Sequence, residues 1–232
     1  MLGLGKPTDR PITAWEAMFL PIELRPYLDR LVVTDPDGRT HPLVRESRHV
    51  VENDRFSVAE RPHDWTDGYL AIGGLIGVAL GLLGVLGRRG NGWRLAFGSA
   101  AAAWAFFAGL GGLILAFLWA LTDHRFSYGN ENVLQLNALS LLLAFVLPSA
   151  LWRGRVRLPL ATRLAAAVVI VSAAGLLLNL IAGAQSNRDM IAFILPIHAG
   201  LFLGLKAIGA GTVSGPGPVE EAADRLSRRR VA

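Results

Sequence analysis

Residues 115–151 read LAFLWALTDHRFSYGNENVLQLNALSLLLAFVLPSAL, and the predicted organisation of the whole chain follows from this stretch. An apolar run ends at Leu121, a polar loop occupies residues 122–132, and a second apolar run begins at Val133. An unpaired polar group in hydrocarbon costs several kcal/mol, so such a loop has to lie at a membrane surface or against other helices. We therefore expect a helical membrane protein with its polar side chains collected at one membrane face.

The composition favours the same class. The chain has 232 residues, of which 52% are hydrophobic and only 18% charged, and its mean hydropathy is +0.41. A net charge of +5 could indicate nucleic acid as a partner. However, the arginines lie beside apolar runs, where they usually orient a chain in the membrane, so we expect no nucleic-acid binding. The absence of cysteine excludes disulfides, thiolate metal sites and a cysteine nucleophile in this chain.

Five apolar runs have about the 17–25 residues that a membrane-spanning helix needs. We place these spans at residues 69–87, 95–121, 133–152, 160–182 and 190–208. In the first span, Gly73, Gly77 and Gly81 share one helix face, which would let another helix backbone approach closely. The alternative is that glycine is simply common in membrane helices. The predicted fold class is therefore all-α, a polytopic five-helix transmembrane bundle at residues 68–208.

A small mixed segment at residues 1–67 precedes the bundle. Within it, residues 15–31 predict a short amphipathic helix that is broken near Pro21 and Pro26. Strands are predicted at residues 31–34 and 41–44, because Asp37-Gly38 between them supplies turn residues with positive φ. After the bundle, residues 209–232 predict a basic cytoplasmic tail.

Basic residues follow alternate spans, which predicts the orientation. The loops after the first, third and fifth spans, together with the span ends beside them, carry most of them: Arg88, Arg89, Arg94, Arg153, Arg155, Arg157, Arg163, Lys206 and the terminal arginines. Since lysine and arginine favour the cytoplasmic side, we expect the amino terminus outside, the carboxyl terminus in the cytoplasm, and residues 123–132 facing outward from a bacterial inner membrane. Residues 1–7 lack a signal-peptide pattern, so the first segment would cross unaided or follow an upstream export signal.

The polar loop contains the first candidate site residues. Asp123 and His124 could act as a general base and its orienting group, although adjacent residues at a helix end point in different directions. Solvated or capping groups are the simpler interpretation of this pair. Asn130 and Asn132 are candidates for a lipid-facing site, and their simpler interpretation is the turn and N-cap of the third span.

Three polar residues are predicted within or close to the apolar spans. Asn137 falls one helical turn inside the third predicted span, Asn179 lies in the fourth, and His198 follows Pro196 in the fifth. An intramembrane histidine is a functional candidate, and a structural histidine bonded to its neighbours is the alternative. Nothing in the spacing predicts a metal site or a cofactor. A small transporter or channel could use these three side chains as a polar path.

Several stretches together resemble a known family. They are residues 9–25 (DRPITAWEAMFLPIELR), the first span, Thr122-Asp123-His124, and residues 130–141 (NENVLQLNALSL). This pattern is similar to the carboxyl-terminal half of Lnb-type lipoprotein N-acyltransferases. The resemblance implies a five-helix membrane domain that is joined to a periplasmic, cysteine-dependent catalytic domain. It also implies passage of an acyl chain from a diacylated lipoprotein to the terminal amino group of another lipoprotein.

This chain departs from the family pattern in two ways. It contains no cysteine, so acyl transfer through a thioester is impossible for this polypeptide alone, and Ala138 stands where the family usually has proline. The leading hypothesis is the membrane half of such a protein, which would hold lipid or lipoprotein acyl chains for a separate catalytic partner. Asp123, His124, Asn130, Asn132, Asn137 and His198 would face the lipid, and Glu23 and Arg25 would dock the partner. A stand-alone enzyme with His124 as base is a further alternative.

Overall fold

The computed structural model describes residues 4–8, 10–48, 63–152, 157–181 and 184–211. The chain forms two compact units, Arg10–His63 and a second one made of Met1–Asp9 with Asp64–Ala232. Predicted features at Arg153, Arg155 and the terminal arginines lie outside the described residues. The extracytoplasmic location of residues 1–67 stays a prediction.

The smaller unit begins with two short helices, α1 (Ala14–Ala17) and α2 (Pro21–Leu28). The predicted break at Pro21 is present, because proline favours the first turn of a helix, where its missing N–H costs nothing. The predicted break near Pro26 is wrong. Pro26 lies inside α2, and the backbone N–H of Asp29 still donates to the carbonyl of Arg25 at 3.0 Å.

A two-stranded hairpin follows these helices. Strands β1 (Val32–Thr34) and β2 (Thr40–Pro42) pair in antiparallel fashion, with Val33 opposite His41. Gly38 has a φ of +80°, a backbone conformation that glycine adopts without strain. The predicted hairpin is therefore confirmed.

The cap of α1 gives a pH-dependent prediction. Thr13 and Glu16 form a capping box, and the side chain of Arg10 donates to the Glu16 carboxylate. These hydrogen bonds, that from Arg10 first and those from Thr13 next, lower the pKa of Glu16 from 4.5 to about 2. Because the folded pKa is the lower one, the carboxylate supports the cap above pH 4.5, and this support is lost as the pH falls towards 2.

A carbon-13 NMR titration of the Glu16 carboxyl group should therefore show a midpoint near 2. The Arg10→Gln variant is the control, and its midpoint should move up towards the ordinary value, since the largest cause of the shift is gone. A titration that is identical in both proteins would contradict this account of the cap.

The larger unit contains the five predicted apolar helices, so the all-α fold class is confirmed. They are α3 (Thr66–Leu86), α4 (Asn91–Ala120), α5 (Leu139–Trp152), α6 (Leu158–Leu178) and α7 (Arg188–Ala210). Four of them, all except α5, are long and apolar enough to cross a membrane. With 14 residues, α5 is about 21 Å long, which is less than the roughly 30 Å of a hydrocarbon core.

Glycines bring α3 and α7 into backbone contact. A Cβ atom at Gly73 or Gly77 would overlap the carbonyl oxygen of Phe193 or Pro196 respectively. Gly81, which was predicted on this face, faces α7 but lies at the edge of the contact. A Cβ there would make only an ordinary contact at 3.9 Å, whereas one at Gly84 would overlap the backbone of Gly204. The contact face follows the helical repeat of 3.6 residues, so a strict spacing of four drifts away from it.

The third predicted span begins later than expected. A 3-10 turn at Glu131–Val133 is followed by non-helical residues, and α5 starts only at Leu139. Asn137 therefore lies before the helix and not one turn inside it. Gly112 of α4 packs on this backbone so closely that a Cβ would overlap the carbonyl of Leu136, and Gly109 packs equally closely on Leu141 in the first turn of α5. Non-helical backbone at this position is tolerated because protein covers it.

A continuous apolar core joins these helices. Side chains from α4, α5 and α7 are fully buried in it, including Phe97, Leu147, Ile197 and Leu205. Because lipid is as apolar as leucine, close packing of this kind, and not exclusion of water, holds membrane helices together.

The carboxylates and most of the basic side chains lie at opposite ends of the bundle, among the described residues. We call the end that carries residues 121–138, 179–181 and 184–189 the polar end, and the other end the basic end. All the carboxylates among the described residues of this unit lie at the polar end: Asp64, Asp67, Asp123, Glu131 and Asp189. The basic end carries Arg88, Arg89, Arg94, Arg157, Arg163 and Lys206. The five helices alternate in direction along the chain, so the first and the last, α3 and α7, run in parallel, as their contacts show.

Candidate functional site

The polar loop between α4 and α5 is folded onto the helix ends. Thr122 Oγ1 donates to the carbonyl of Leu118 at 2.6 Å, which closes the last turn of α4. Tyr128 Oη donates to the carbonyl of Thr122 at 2.9 Å, and Gly129 turns the chain with a φ of +63°. The loop is therefore bonded to itself before it reaches α5.

Buried amides attach this loop to α6 and α7. Asn187 Nδ2 donates to Asn132 Oδ1 at 3.1 Å, and Asn179 Nδ2 donates to Asn187 Oδ1 at 2.8 Å. Asn130 accepts the backbone N–H of Asn132 at 3.0 Å and caps the 3-10 turn that precedes α5. Asn130, Asn132 and Asn187 are all at most 2% exposed. This group therefore ties three segments of the chain together at the polar end.

Glu131 and Gln185 form the outer layer of the same attachment. The backbone N–H of Glu131 donates to Gln185 Oε1 at 2.8 Å, and the backbone N–H of Gln185 donates to Glu131 Oε2 at 3.2 Å. Lys6 Nζ lies 2.8 Å from Glu131 Oε1, and Gln185 Nε2 donates to the carbonyl of Leu4 at 2.7 Å. The amino-terminal residues of the chain are thus bonded to both loops of the polar end.

A second buried polar group surrounds His198. Its Nδ1 lies 2.9 Å from Ser172 Oγ, and its ring meets the edge of the Trp104 ring at a centroid distance of 5.9 Å. Gln135 Nε2 donates to the carbonyl of Ser172 at 3.0 Å, and Asn137 Nδ2 donates to the carbonyl of Leu134 at 3.3 Å. The group therefore links α4, α6 and α7 with the residues before α5.

Five polar atoms in this group have no hydrogen-bond partner among the described residues. They are Trp104 Nε1, Gln135 Oε1, Asn137 Oδ1, Ser140 Oγ and His198 Nε2. Buried polar atoms normally have a partner, so this part of the bundle can accept a further hydrogen-bonding group, of which water is the smallest.

Asp123 and His124 are not part of either buried group. Both are exposed, and His124 Nδ1 lies 3.2 Å from the hydroxyl of its neighbour Thr122. No described contact joins them to Asn132, Asn137 or His198. The pair is thus available to solvent or to a bound molecule at the polar end.

Glu23 and Arg25 lie in the smaller unit, where both are exposed on α2. Arg25 Nη2 donates to Ser47 Oγ at 2.9 Å, and its Nε lies 3.8 Å from the carboxylate of Asp29. The exposed apolar side chains of Trp15, Phe19 and Ile22 lie nearby in the sequence.

Sequence reasoning missed several members of the buried groups. Gln135, Ser140, Ser172 and Trp104 lie in apolar runs, where single polar residues carry no pattern of their own. Gln135 lies two residues before the predicted candidate Asn137, and this polar residue is the sequence signal that could have indicated the group around His198. Within the described residues, no group of three or more His, Cys, Asp or Glu could hold a metal ion.

The fold and the polar end define a multi-pass helical membrane protein. Residues 93–199, which run from the first turn of α4 into α7, match the family model of the Lnb transmembrane domain. The protein therefore carries an Lnb-type transmembrane domain, and the resemblance inferred from its sequence is confirmed for this membrane region. The match does not extend to residues 9–25 or to the first span. No curated protein sequence and no solved structure is detectably similar to the chain.

Proposed function

We propose that this protein holds acyl chains of lipids or lipoproteins at the outer face of a bacterial inner membrane and presents them to a separate, cysteine-bearing acyltransferase partner. One observation carries the proposal: the residues that match the Lnb transmembrane domain include the whole polar loop, which buried amides hold on the helix ends. The chain has no cysteine, so the nucleophile comes from the partner.

The surface of the polar end supports acyl-chain binding. Leu121, Phe126, Leu180 and Ile181 are 61–81% exposed there, beside the exposed polar pair Asp123 and His124. Apolar side chains would contact the acyl chain, and the polar pair would face the ester or amide group that joins it to its carrier. The buried Asn130, Asn132, Asn137 and His198 would act indirectly, by keeping this surface in one conformation.

Partner docking is assigned to the smaller unit. Glu23 and Arg25 carry opposite charges on α2, and Trp15, Phe19 and Ile22 are exposed apolar side chains. Exposed aromatic and arginine side chains are typical of protein interfaces. Charge reversal at both positions, Glu23→Arg with Arg25→Glu, should therefore weaken association with the partner.

The orientation that this function requires follows from the charges. The basic end would face the cytoplasm, and the polar end would face outward. Because the chain contains no cysteine, a membrane-impermeant maleimide labels only a cysteine that is introduced by substitution. We expect Asp123→Cys to be labelled in intact spheroplasts and Arg89→Cys to be labelled only after the membrane is opened. The reverse pattern would contradict the proposed function.

Acyl-chain binding is tested by crosslinking the full chain to a phospholipid with a photoreactive acyl chain. The Phe126→Ser/Leu180→Ser variant should lose about tenfold or more of the crosslink, because each large apolar side chain contributes about 1.5–3 kcal/mol when it is buried. Trp93→Ser, which removes an exposed apolar side chain at the basic end, is the matched control. Equal crosslinking in all three proteins would contradict acyl-chain binding at the polar end.

The partner is tested separately, by co-purification of the full chain in mild detergent. We expect a periplasmic protein with a reactive cysteine to be recovered with the parent chain and to be reduced with the Glu23→Arg/Arg25→Glu variant. Recovery that does not change with this variant would contradict the assigned docking surface.

A further inference from the structure

An open groove lies between α6 and α7 at the basic end of the bundle. Its volume is about 600 Å³, which is within the usual range of roughly 300–1,000 Å³ for a ligand pocket. The lining comes only from the first turns of α6 and the last turns of α7, and every lining residue is described: Leu158, Pro159, Thr162, Arg163, Ala166, Phe202, Leu205, Lys206, Gly209 and Ala210.

The groove has apolar walls with small residues between them. Positions 159, 162, 163 and 166 share one face of α6, and positions 202, 205, 206, 209 and 210 share one face of α7, as the helical repeat requires. Phe202 and Pro159 supply the accessible apolar wall, and Ala166, Gly209 and Ala210 leave the space open, whereas Leu158 and Leu205 are buried. Thr162 donates its hydroxyl to the carbonyl of Leu158 at 2.9 Å, so it adds no free donor to the groove.

Two cations lie on this apolar lining. Arg163 and Lys206 are both exposed, and no carboxylate among the described residues lies within 4.0 Å of either. All the described carboxylates of this unit lie at the opposite end of the bundle. Positive charge without a counter-ion beside an apolar groove matches a molecule that has an anionic head and an apolar chain.

We propose that this groove binds an anionic phospholipid, with its phosphate at Arg163 and Lys206 and an acyl chain along Phe202 and Pro159. A free phosphate ion would use the two cations but would leave the apolar walls unexplained. The site lies at the end of the bundle opposite to the surface proposed for acyl presentation, so it does not depend on that function.

Native mass spectrometry of the full chain, extracted from vesicles of phosphatidylglycerol and phosphatidylethanolamine, tests the proposal. We expect the parent chain to retain phosphatidylglycerol in preference to phosphatidylethanolamine. The Arg163→Gln/Lys206→Gln variant should lose about fivefold in retention for each cation, since a basic residue at an anionic lipid contributes about 1 kcal/mol. Both side chains are exposed, so this variant keeps the packed core.

Two further variants complete the design. Ala166→Trp fills the groove without removing a charge, and it should also reduce retention. Arg125→Gln/Arg188→Gln removes the same charge at the polar end, and it should leave retention unchanged. The proposal is overturned if the parent and the Arg163→Gln/Lys206→Gln variant retain phosphatidylglycerol equally. It is also overturned if the parent retains the two lipids equally. Absence of retained lipid also overturns it.

Discussion

Gly77→Ala should separate α3 from α7 and lower the free energy of unfolding by about 3 kcal/mol. An added methyl group at this position would overlap the carbonyl oxygen of Pro196, and backbone atoms cannot turn aside as a flexible side chain can. Either the two helices move apart along the whole contact from Gly73 to Gly84, or α7 bends. Both responses weaken the packing on which membrane helices depend.

Gly74→Ala is the matched control for this prediction. It makes the same change three residues earlier in the same helix, but no atom outside that helix's own backbone lies within 4 Å of the added Cβ. Because alanine favours a helix over glycine, Gly74→Ala should be neutral or stabilising by up to about 1 kcal/mol. Unfolding in detergent, followed by circular dichroism, measures both variants. A Gly77→Ala protein as stable as Gly74→Ala would show that the contact between α3 and α7 is not as close as described.

Asn187→Ala should release the polar loop from α6 and α7 and destabilise the protein by about 3 kcal/mol. The substitution removes the donor that Asn187 Nδ2 supplies to the buried Asn132 Oδ1, and it removes the acceptor of Asn179 Nδ2. A buried polar group that loses its partner costs about 1–3 kcal/mol. Asn179 keeps its second hydrogen bond, to the carbonyl of Gly175 at 3.2 Å.

Hydrogen exchange locates this effect. In Asn187→Ala, the backbone amides of residues 130–137 should exchange faster through local opening. The exchange of amides in the middle of α3 through local opening should not change. Asn91→Ala, at an exposed position in the first turn of α4, is the control and should change neither stability nor exchange in the loop. Unchanged exchange at residues 130–137 in Asn187→Ala would mean that the amides do not hold the loop.

The glycine contact and the buried amides differ in how far sequence could predict them. The close approach at Gly73 and Gly77 was predicted from their spacing, because glycines four residues apart share a helix face. The close contact of Gly84, in place of Gly81, was not predicted, since it depends on how α3 is rotated relative to α7. The role of Asn187 could not be predicted, because its partners Asn132 and Asn179 belong to two other segments of the chain.

The sequence by itself determined the class of protein, the number of apolar helices and the hairpin at residues 32–42. These features depend on local properties: the length of an apolar run, the charges beside it and the positive φ that Gly38 allows. Only the tertiary structure decided that α5 starts at Leu139, that Asn137 lies before it, and that His198 meets Ser172 and Trp104. The physical reason is that a buried polar group takes its partner from whichever segment packs against it. The local sequence around that group does not specify which segment this is.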